Sequence, residues 1–172
     1  MGSSFRSTAN YHFPSYFGIK HFGNYKKKKG LKNIEKIESL TSLLALPGIV
    51  EVVELRSELG ICALHGGGLE RATEAVAREV ARRTNASYYA VIQPEGSRHH
   101  LPSVLFNPKE SSQLEIFLKR SKTIISIHGY GKDDDFWAVL LGGSNRILAR
   151  HIAGHLRGVV PDESRVVDNL DE

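Results

Sequence analysis

The stretch that decides the fold is ICALHGGGLE, residues 61–70. The four apolar residues 61–64 form a short continuous run, which is typical of a strand buried on both faces. Three glycines follow the histidine, and residues 69–83 then place apolar side chains at helical spacing. A buried strand, a glycine turn and a helix, in this order, are the repeating unit of an α/β fold.

Strands and helices continue to alternate on both sides of this stretch. The apolar spacing predicts helices over residues 34–46, 111–120 and 144–157, and strands over residues 50–55, 87–92, 123–127 and 136–141. Because the two kinds of element alternate, we predict an α/β fold. Its sheet is expected to be mixed and mostly parallel, with helices on both faces.

Two of the predicted strands end in a histidine. His65 follows the run 61–64, His128 follows the run 123–127, and glycine comes directly after each. Ligands of open α/β sheets bind beyond the carboxyl ends of the strands, so the two imidazoles are expected to face one place. Each histidine taken alone is also compatible with a hydrogen-bonded core residue.

Glu70 adds a carboxylate beside these imidazoles. It follows the glycine run and is expected in the first turn of the helix, where the helix dipole stabilises a negative charge. Two imidazoles and one carboxylate are a usual ligand set of catalytic zinc, with the fourth position left for water. The sequence therefore predicts a Zn²⁺ site at His65, Glu70 and His128, with a simple helix cap as the alternative role of Glu70.

The motif HGGGLE at residues 65–70 resembles the first motif of poly-γ-glutamate hydrolases of the phage-encoded type. The segments LPS (101–103), SIHG (126–129) and LGG (141–143) are similar to later segments of that family, in the same order. The resemblance covers about residues 40–170. It implies a zinc carboxypeptidase-like fold, metal ligands at His65, Glu70 and His128, and hydrolysis of γ-glutamyl amide bonds.

Three further residues are expected to bind the substrate. His100 lies where the family carries a histidine before its LPS-like segment, and Tyr130 follows the second histidine motif. Arg98 can pair with a substrate carboxylate, because a guanidinium binds carboxylates in a bidentate way. Packed or solvated loop residues are the alternative for all three.

Two other histidines and the single cysteine are not assigned a functional role. His151 and His155 are four residues apart in the predicted helix 144–157 and could hold a metal. The central glutamate of zinc-protease helices is absent between them, so the sequence does not favour a site there. Cys62 falls in the buried run and is predicted to be a core residue.

The family pattern continues beyond the position of Leu170 with a segment that contains the general-base glutamate of zinc carboxypeptidases. This chain stops at Glu172, so we expect a domain truncated at its C-terminus, with the catalytic base beyond it and activity impaired. The acids nearest the motifs are Glu74, Glu95 and Asp133, and the sequence does not single out any of them as the catalytic base. A non-catalytic metal- or glutamyl-binding remnant is the alternative function.

Charge is distributed unevenly along the chain. Residues 1–34 carry seven Lys or Arg and no acid, whereas the rest carries 16 basic and 19 acidic residues. The aromatic residues of this first segment show no helical or strand period. We therefore predict a basic, disordered N-terminal extension over 1–34 and a zinc hydrolase-like domain over 35–172. A nucleic-acid-associated protein acting through the basic tail is the further alternative.

The rest of the composition is ordinary for a globular domain, with 41% hydrophobic and 24% charged residues. No run approaches the roughly 18 apolar residues of a membrane span, and no apolar stretch follows a basic start as in a signal peptide. One cysteine cannot form an internal disulfide. We expect a cytoplasmic enzyme with Zn²⁺ as cofactor and poly-γ-glutamate or a related γ-glutamyl peptide as substrate, and no membrane partner.

Overall fold

The computed structural model describes residues 16–21, 35–129, 138–162 and 164–168. In this part of the chain the strands are β1 (Tyr16–His21), β2 (Glu35–Lys36), β3 (Val50–Glu54), β4 (Leu59–Gly67), β5 (Ser87–Gln93), β6 (His99–His100), β7 (Thr123–Gly129), β8 (Ala138–Gly143) and β9 (Arg165–Val167). The helices are α1 (Leu40–Leu44), α2 (Thr73–Thr84), α3 (Ser112–Arg120) and α4 (Arg146–Leu156), with single 3₁₀ turns at Ser103–Leu105 and Pro108–Glu110.

Seven of these strands form one mixed sheet, in the order β3-β5-β4-β7-β1-β8-β9. The pairs β5–β4, β4–β7, β7–β1 and β8–β9 are parallel, whereas β3–β5 and β1–β8 are antiparallel. The strands β2 and β6 pair separately in a short parallel ladder. The predicted mixed, mostly parallel sheet is confirmed.

The side chains of β4 alternate between two hydrophobic clusters. Cys62 and Leu64 pack with residues of α1 and α3, whereas Ile61 and Ala63 pack with residues of α2. A third cluster joins α4 to β8. Since β4 is covered on both sides, each of its positions 61–64 has to be apolar, as the sequence pattern indicated. Helices on both faces and a buried Cys62 are confirmed.

Two helices, α1 and α2, begin four or more residues later than the apolar spacing predicted. Ser39 starts α1, because its hydroxyl accepts a hydrogen bond from the Ser42 N–H at 3.0 Å. Upstream of Ser39, a helix was predicted, but Glu35–Lys36 instead pair with β6 as a strand. Ala72 precedes α2 with a left-handed φ of 67°, which ends the turns that follow the glycine run. Among the described residues, no helix combines the length and the apolar character of a membrane span.

The two other helices, α3 and α4, begin within two residues of their predicted starts at residues 111 and 144. The Ser111 hydroxyl accepts from the Leu114 N–H at 3.0 Å and starts α3. The Asn145 side chain accepts from the Leu148 N–H at 3.0 Å and starts α4. Each cap pairs one of the backbone N–H groups that a helix leaves unsatisfied at its N-terminus.

The largest departure from the sequence analysis lies in the N-terminal segment. Tyr16–His21 form β1, which lies between β7 and β8, in parallel register with residues 124–129. Aromatic and β-branched residues favour strands even where no period is visible, and this segment contains several. The prediction of a disordered extension does not apply to these six residues. For residues 1–15 and 22–34 it falls outside the described residues and stays a prediction.

Candidate metal centre

His65 and His128 are brought together by two neighbouring parallel strands, β4 and β7. Both strands are longer than predicted, so each histidine lies within its strand and not after it. The two ring centroids are 5.3 Å apart. Both side chains are buried, at 3% and 6% exposure. The structure thus places the two predicted ligands side by side at one edge of the sheet.

Glu70 lies in the turn between β4 and α2, and not in the first helical turn as expected. Its N–H donates to the His65 carbonyl at 2.9 Å, and its own carbonyl accepts from the Thr73 hydroxyl at 2.7 Å. The Gly129 N–H donates to Glu70 Oε2 at 2.9 Å. Backbone contacts, more than the dipole of α2, therefore hold the carboxylate between the histidines.

Glycines allow this turn to lie against β5. Gly67 has a φ of 70°, and a Cβ built on it would lie 2.1 Å from the Gln93 carbonyl oxygen. A Cβ on Gly68 would lie 2.2 Å from the Pro94 carbonyl oxygen. Neither position accepts a larger residue without moving the backbone, which would displace the turn that carries Glu70.

The atoms that could bind a metal converge on the Glu70 carboxylate. Nδ1 of His65 lies 3.1 Å from Oε1, and Nδ1 of His128 lies 3.5 Å from Oε2. One ligand atom from each of the three residues lies within 4.8 Å of the others. Ligand distances of about 2.0–2.2 Å put the donors of one zinc ion about 3–3.5 Å apart. The three side chains therefore fit one ion with small movements.

The remote nitrogen of each imidazole already has a partner. Nε2 of His65 lies 2.8 Å from the Leu101 carbonyl oxygen and donates to it, so Nδ1 is the ring nitrogen that faces Glu70 and could bind a metal. Nε2 of His128 lies 2.9 Å from the Ser126 hydroxyl. Partners of this kind fix the tautomer and the ring orientation of metal-ligating histidines. They favour coordination through the two Nδ1 atoms.

Electrostatics keep the Glu70 carboxylate charged. Burial opposes its ionisation, but hydrogen bonds and charge from His128 and His65 lower its pKa to about 2. Burial likewise opposes a charged His65, yet the hydrogen bond and charge of Glu70 raise the pKa of that imidazole above its usual value. Glu70 is therefore anionic at neutral pH, and a metal ion binding at His65 would compete with a proton for the imidazole.

The predicted substrate-binding residues lie in different positions relative to this centre. The His100 ring is 5.0 Å from the His65 ring, and burial together with the neighbouring His65 lowers the pKa of His100. Arg98 Nη1 donates to the Gly68 carbonyl at 2.6 Å, so its guanidinium lies beside the glycine turn. Tyr130 lies outside the described residues, and its predicted role stays untested.

The acids considered as proton carriers have other partners. Glu74 Oε2 accepts from the Gly67 N–H at 3.0 Å, and Glu95 forms an ion pair with Arg71. Asp133 lies outside the described residues. Both described acids thus stabilise the strand–helix turn and its neighbouring loop.

Sequence reasoning missed the groups that orient the histidines. Leu101 acts through its backbone carbonyl, which leaves no mark in the sequence. Ser126 lies two residues before His128 on β7, and the two-residue period of a strand puts both side chains on one face. That spacing was the available signal. Phe106, buried and edge-on to His65 with ring centroids 6.0 Å apart, was also missed.

The chain resembles two curated proteins of Bacillus subtilis (strain 168). It is 28% identical over 105 residues to the UPF0714 protein YndL, an alignment that covers 60% of this chain and 40% of that protein. It is 31% identical over 119 residues to the SPbeta prophage-derived UPF0714 protein YoqZ, covering 65% of this chain and 42% of that protein. The chain spans about two-fifths of the length of these relatives.

A family model adds the more extensive match. No solved structure matches the chain. The model described as poly-gamma-glutamate hydrolase, however, matches residues 32–159, and these residues include all three converging side chains. Since the match covers well over half of the 172 residues, this chain belongs to the poly-gamma-glutamate hydrolase family.

Proposed function

We propose that this chain is a zinc-dependent hydrolase of γ-glutamyl amide bonds, with the metal held by His65, Glu70 and His128. The observation that carries the proposal is the arrangement of both Nδ1 atoms, 3.1 and 3.5 Å from the two oxygens of one carboxylate. Membership of the family supports the substrate class. We also propose a zinc carboxypeptidase-like fold, which the mixed sheet and the ligands at its edge support.

The three residues are suited to hold such an ion in one place. Zinc held by two imidazoles and one carboxylate would supply Lewis acidity, which would polarise an amide carbonyl and make water a stronger acid. Glu70 offsets part of the positive charge, and the Gly129 N–H fixes one of its oxygens. The Leu101 carbonyl and the Ser126 hydroxyl keep the two rings in the orientation that directs Nδ1 toward Glu70.

Substrate binding is assigned to the side chains next to the centre. His100 is half-buried and, with its lowered pKa, neutral at pH 7, so its ring can exchange a hydrogen bond with a substrate amide. Each γ-linked glutamate carries a free α-carboxylate, and the Arg98 guanidinium is held beside the glycine turn to pair with it. Tyr130 stays the third predicted contact.

Proton transfer needs one more group, because His65, Glu70 and His128 are committed as ligands. General acid–base assistance typically contributes about 10²–10⁴-fold. We propose that a carboxylate of the family segment expected after Leu170 supplies it. Since Glu74 and Glu95 are engaged elsewhere, a metal- or glutamyl-binding protein without turnover is the second candidate function.

The zinc content of the purified chain tests the metal centre. After reconstitution and dialysis we expect about one tightly held zinc per chain, as for other three-ligand sites. His65→Ala and His128→Ala should lose it, whereas the matched control His99→Ala should keep it, since His99 pairs with Glu35 on the separate ladder. A folded chain that holds no stoichiometric zinc would refute the centre.

Turnover is tested separately by the viscosity of a zinc-containing poly-γ-glutamate solution. The 172-residue chain should act about 10²–10⁴-fold more slowly than a version extended by the family's C-terminal segment. Equal rates would show that the proton carrier lies within these 172 residues, and Glu95→Gln and Asp133→Asn would then identify it. Zinc binding with no turnover by either version would favour the second candidate.

A further inference from the structure

A second pair of imidazoles lies on α4, an element that contributes nothing to the strand-end centre. His151 and His155 are one helical turn apart, with ring centroids 4.7 Å apart and ring planes inclined by 73°. Both side chains are exposed, whereas Ala149 and Ala153 of the same helix are fully buried in the cluster with β8. The helix therefore presents both imidazoles to solvent, away from its packed side.

The separation of these rings suits two imidazoles bound to one ion. With metal–nitrogen distances of about 2.0–2.1 Å and ligand angles of about 90–110°, the centroids of two coordinated rings lie about 4.5–5.3 Å apart. The 4.7 Å between His151 and His155 falls in this range, as does the 5.3 Å between His65 and His128. The helix itself sets the spacing, because residues four apart are neighbours on its surface.

The surroundings of this pair leave room for an ion. Ile147 and Val159, four residues before and after the pair, are apolar and 82% and 77% exposed. A Cβ built on Gly154 would meet no atom within 4 Å, so the space beside the rings is open. The basic residues Arg150 and Arg157 lie off this stripe, and Arg157 is in an ion pair.

We propose that His151 and His155 form a second metal site, which binds a divalent transition-metal ion of the class that imidazole favours. Affinity for such nitrogen ligands rises through Ni²⁺ to Cu²⁺ and falls again at Zn²⁺. Two protein ligands leave the remaining coordination positions to water or to an outside chelating group. The site is thus open and exchanges its ion readily, and it does not depend on the hydrolase function.

Retention on resin-held Ni²⁺ tests this site directly, using the full chain without an affinity tag. An ion on a resin can reach the exposed pair, whereas His65 and His128 are only 3% and 6% exposed. We expect the chain to be retained at low imidazole concentration. His151→Ala and His155→Ala should each abolish that retention, with helix content unchanged by circular dichroism.

A variant with the same number of histidines provides the matched control. Arg150→His combined with His151→Ala places its two rings at positions 150 and 155, about 140° apart around the helix, so they cannot chelate one ion. We expect this double variant to lose retention as well. Retention that survives it, or that survives either single substitution, would overturn the proposal by placing the binding histidines elsewhere. Failure of the unsubstituted chain to bind would also overturn it.

Discussion

The two histidine pairs of this chain have similar ring separations and very different surroundings. His65 and His128 are far apart in sequence and meet because β4 and β7 pair, with centroids 5.3 Å apart. His151 and His155 need only one turn of α4 to come within 4.7 Å. Among the described residues, the strand-end pair alone belongs to a group of three side chains that could hold a metal ion.

This comparison separates ring spacing from the other features that the proposed metal centre has. The strand-end pair is buried, has a carboxylate between its Nδ1 atoms, and has a partner for each Nε2. Each of these features fixes the position of one of the proposed ligands, as a tightly held ion would require. The pair on α4 has a similar ring spacing and is exposed to solvent, and both features suit an ion that exchanges readily.

Removing the Glu70 carboxylate should have the largest effect, because it should abolish metal binding at the strand-end pair and leave the pair on α4 unchanged. We expect Glu70→Gln to abolish stoichiometric zinc binding and hydrolysis, because a neutral amide is a poor ligand and lacks the charge that offsets the ion. Nickel retention through α4 should be unchanged. Elemental analysis after dialysis is the measurement, with Glu74→Gln as a control that keeps its zinc. A zinc-replete Glu70→Gln protein would remove Glu70 from the ligand set.

Substitution of a glycine in the strand-end turn should have the next largest effect. Gly67→Ala forces a side chain onto a φ of 70° and against the Gln93 carbonyl at 2.1 Å. We expect the free energy of unfolding to fall by at least about 2 kcal/mol, since a non-glycine residue held in such a conformation costs about 1–3 kcal/mol before any clash. Urea denaturation measures it. An unchanged midpoint would mean that the turn adapts easily.

Loss of a partner on the remote nitrogen should weaken the centre without destroying it. Ser126→Ala removes the hydroxyl 2.9 Å from His128 Nε2. Changes of this kind typically cost about 10–100-fold in metal affinity, and we expect a loss of that size in a zinc competition titration with a chromophoric chelator. Ser112→Ala, at the exposed start of α3, is the control. Equal affinities for both variants would show that His128 is oriented by other contacts.

The smallest effect is expected on α4, where a substitution should raise the free energy of unfolding. Gly154→Ala replaces a glycine in the helix interior at a position where a Cβ meets nothing within 4 Å. We expect the free energy of unfolding to rise by about 0.5–1 kcal/mol, because alanine loses less backbone entropy in a helix than glycine does. Urea denaturation beside Gly67→Ala gives the comparison, and a destabilised Gly154→Ala variant would contradict it.

The sequence indicated much of the strand-end centre because its pattern is local. His65, Glu70 and the glycines between them lie within six residues, and β4 and β7 are marked by continuous apolar runs. The start of α2 was predicted about one helical turn too early, so Glu70 was expected inside the helix. The left-handed φ of Ala72 and the hydrogen bond from the Glu70 N–H to the His65 carbonyl cannot be recognised from residue types. Alanine at such a position looks like any other helical residue.

Groups that depend on distant pairing were beyond the sequence patterns. The Leu101 carbonyl reaches His65 from a loop remote in sequence, and a backbone oxygen is the same in every residue. The strands β2, β6 and β9 have two or three residues each, too few to show a period. Their formation is set by the partner strand and not by their own composition.

The position of β1 has a consequence for the order in which the chain can fold. Tyr16–His21 are made before their neighbours β7 and β8, which follow only when residues 123–143 have been added. Until β7 is made, β1 has no partner on either side, and its second edge stays unpaired until β8 follows. Such long-range closure slows folding and prolongs the exposure of strand edges. β1 can thus take its place between β7 and β8 only after residue 143 has been made.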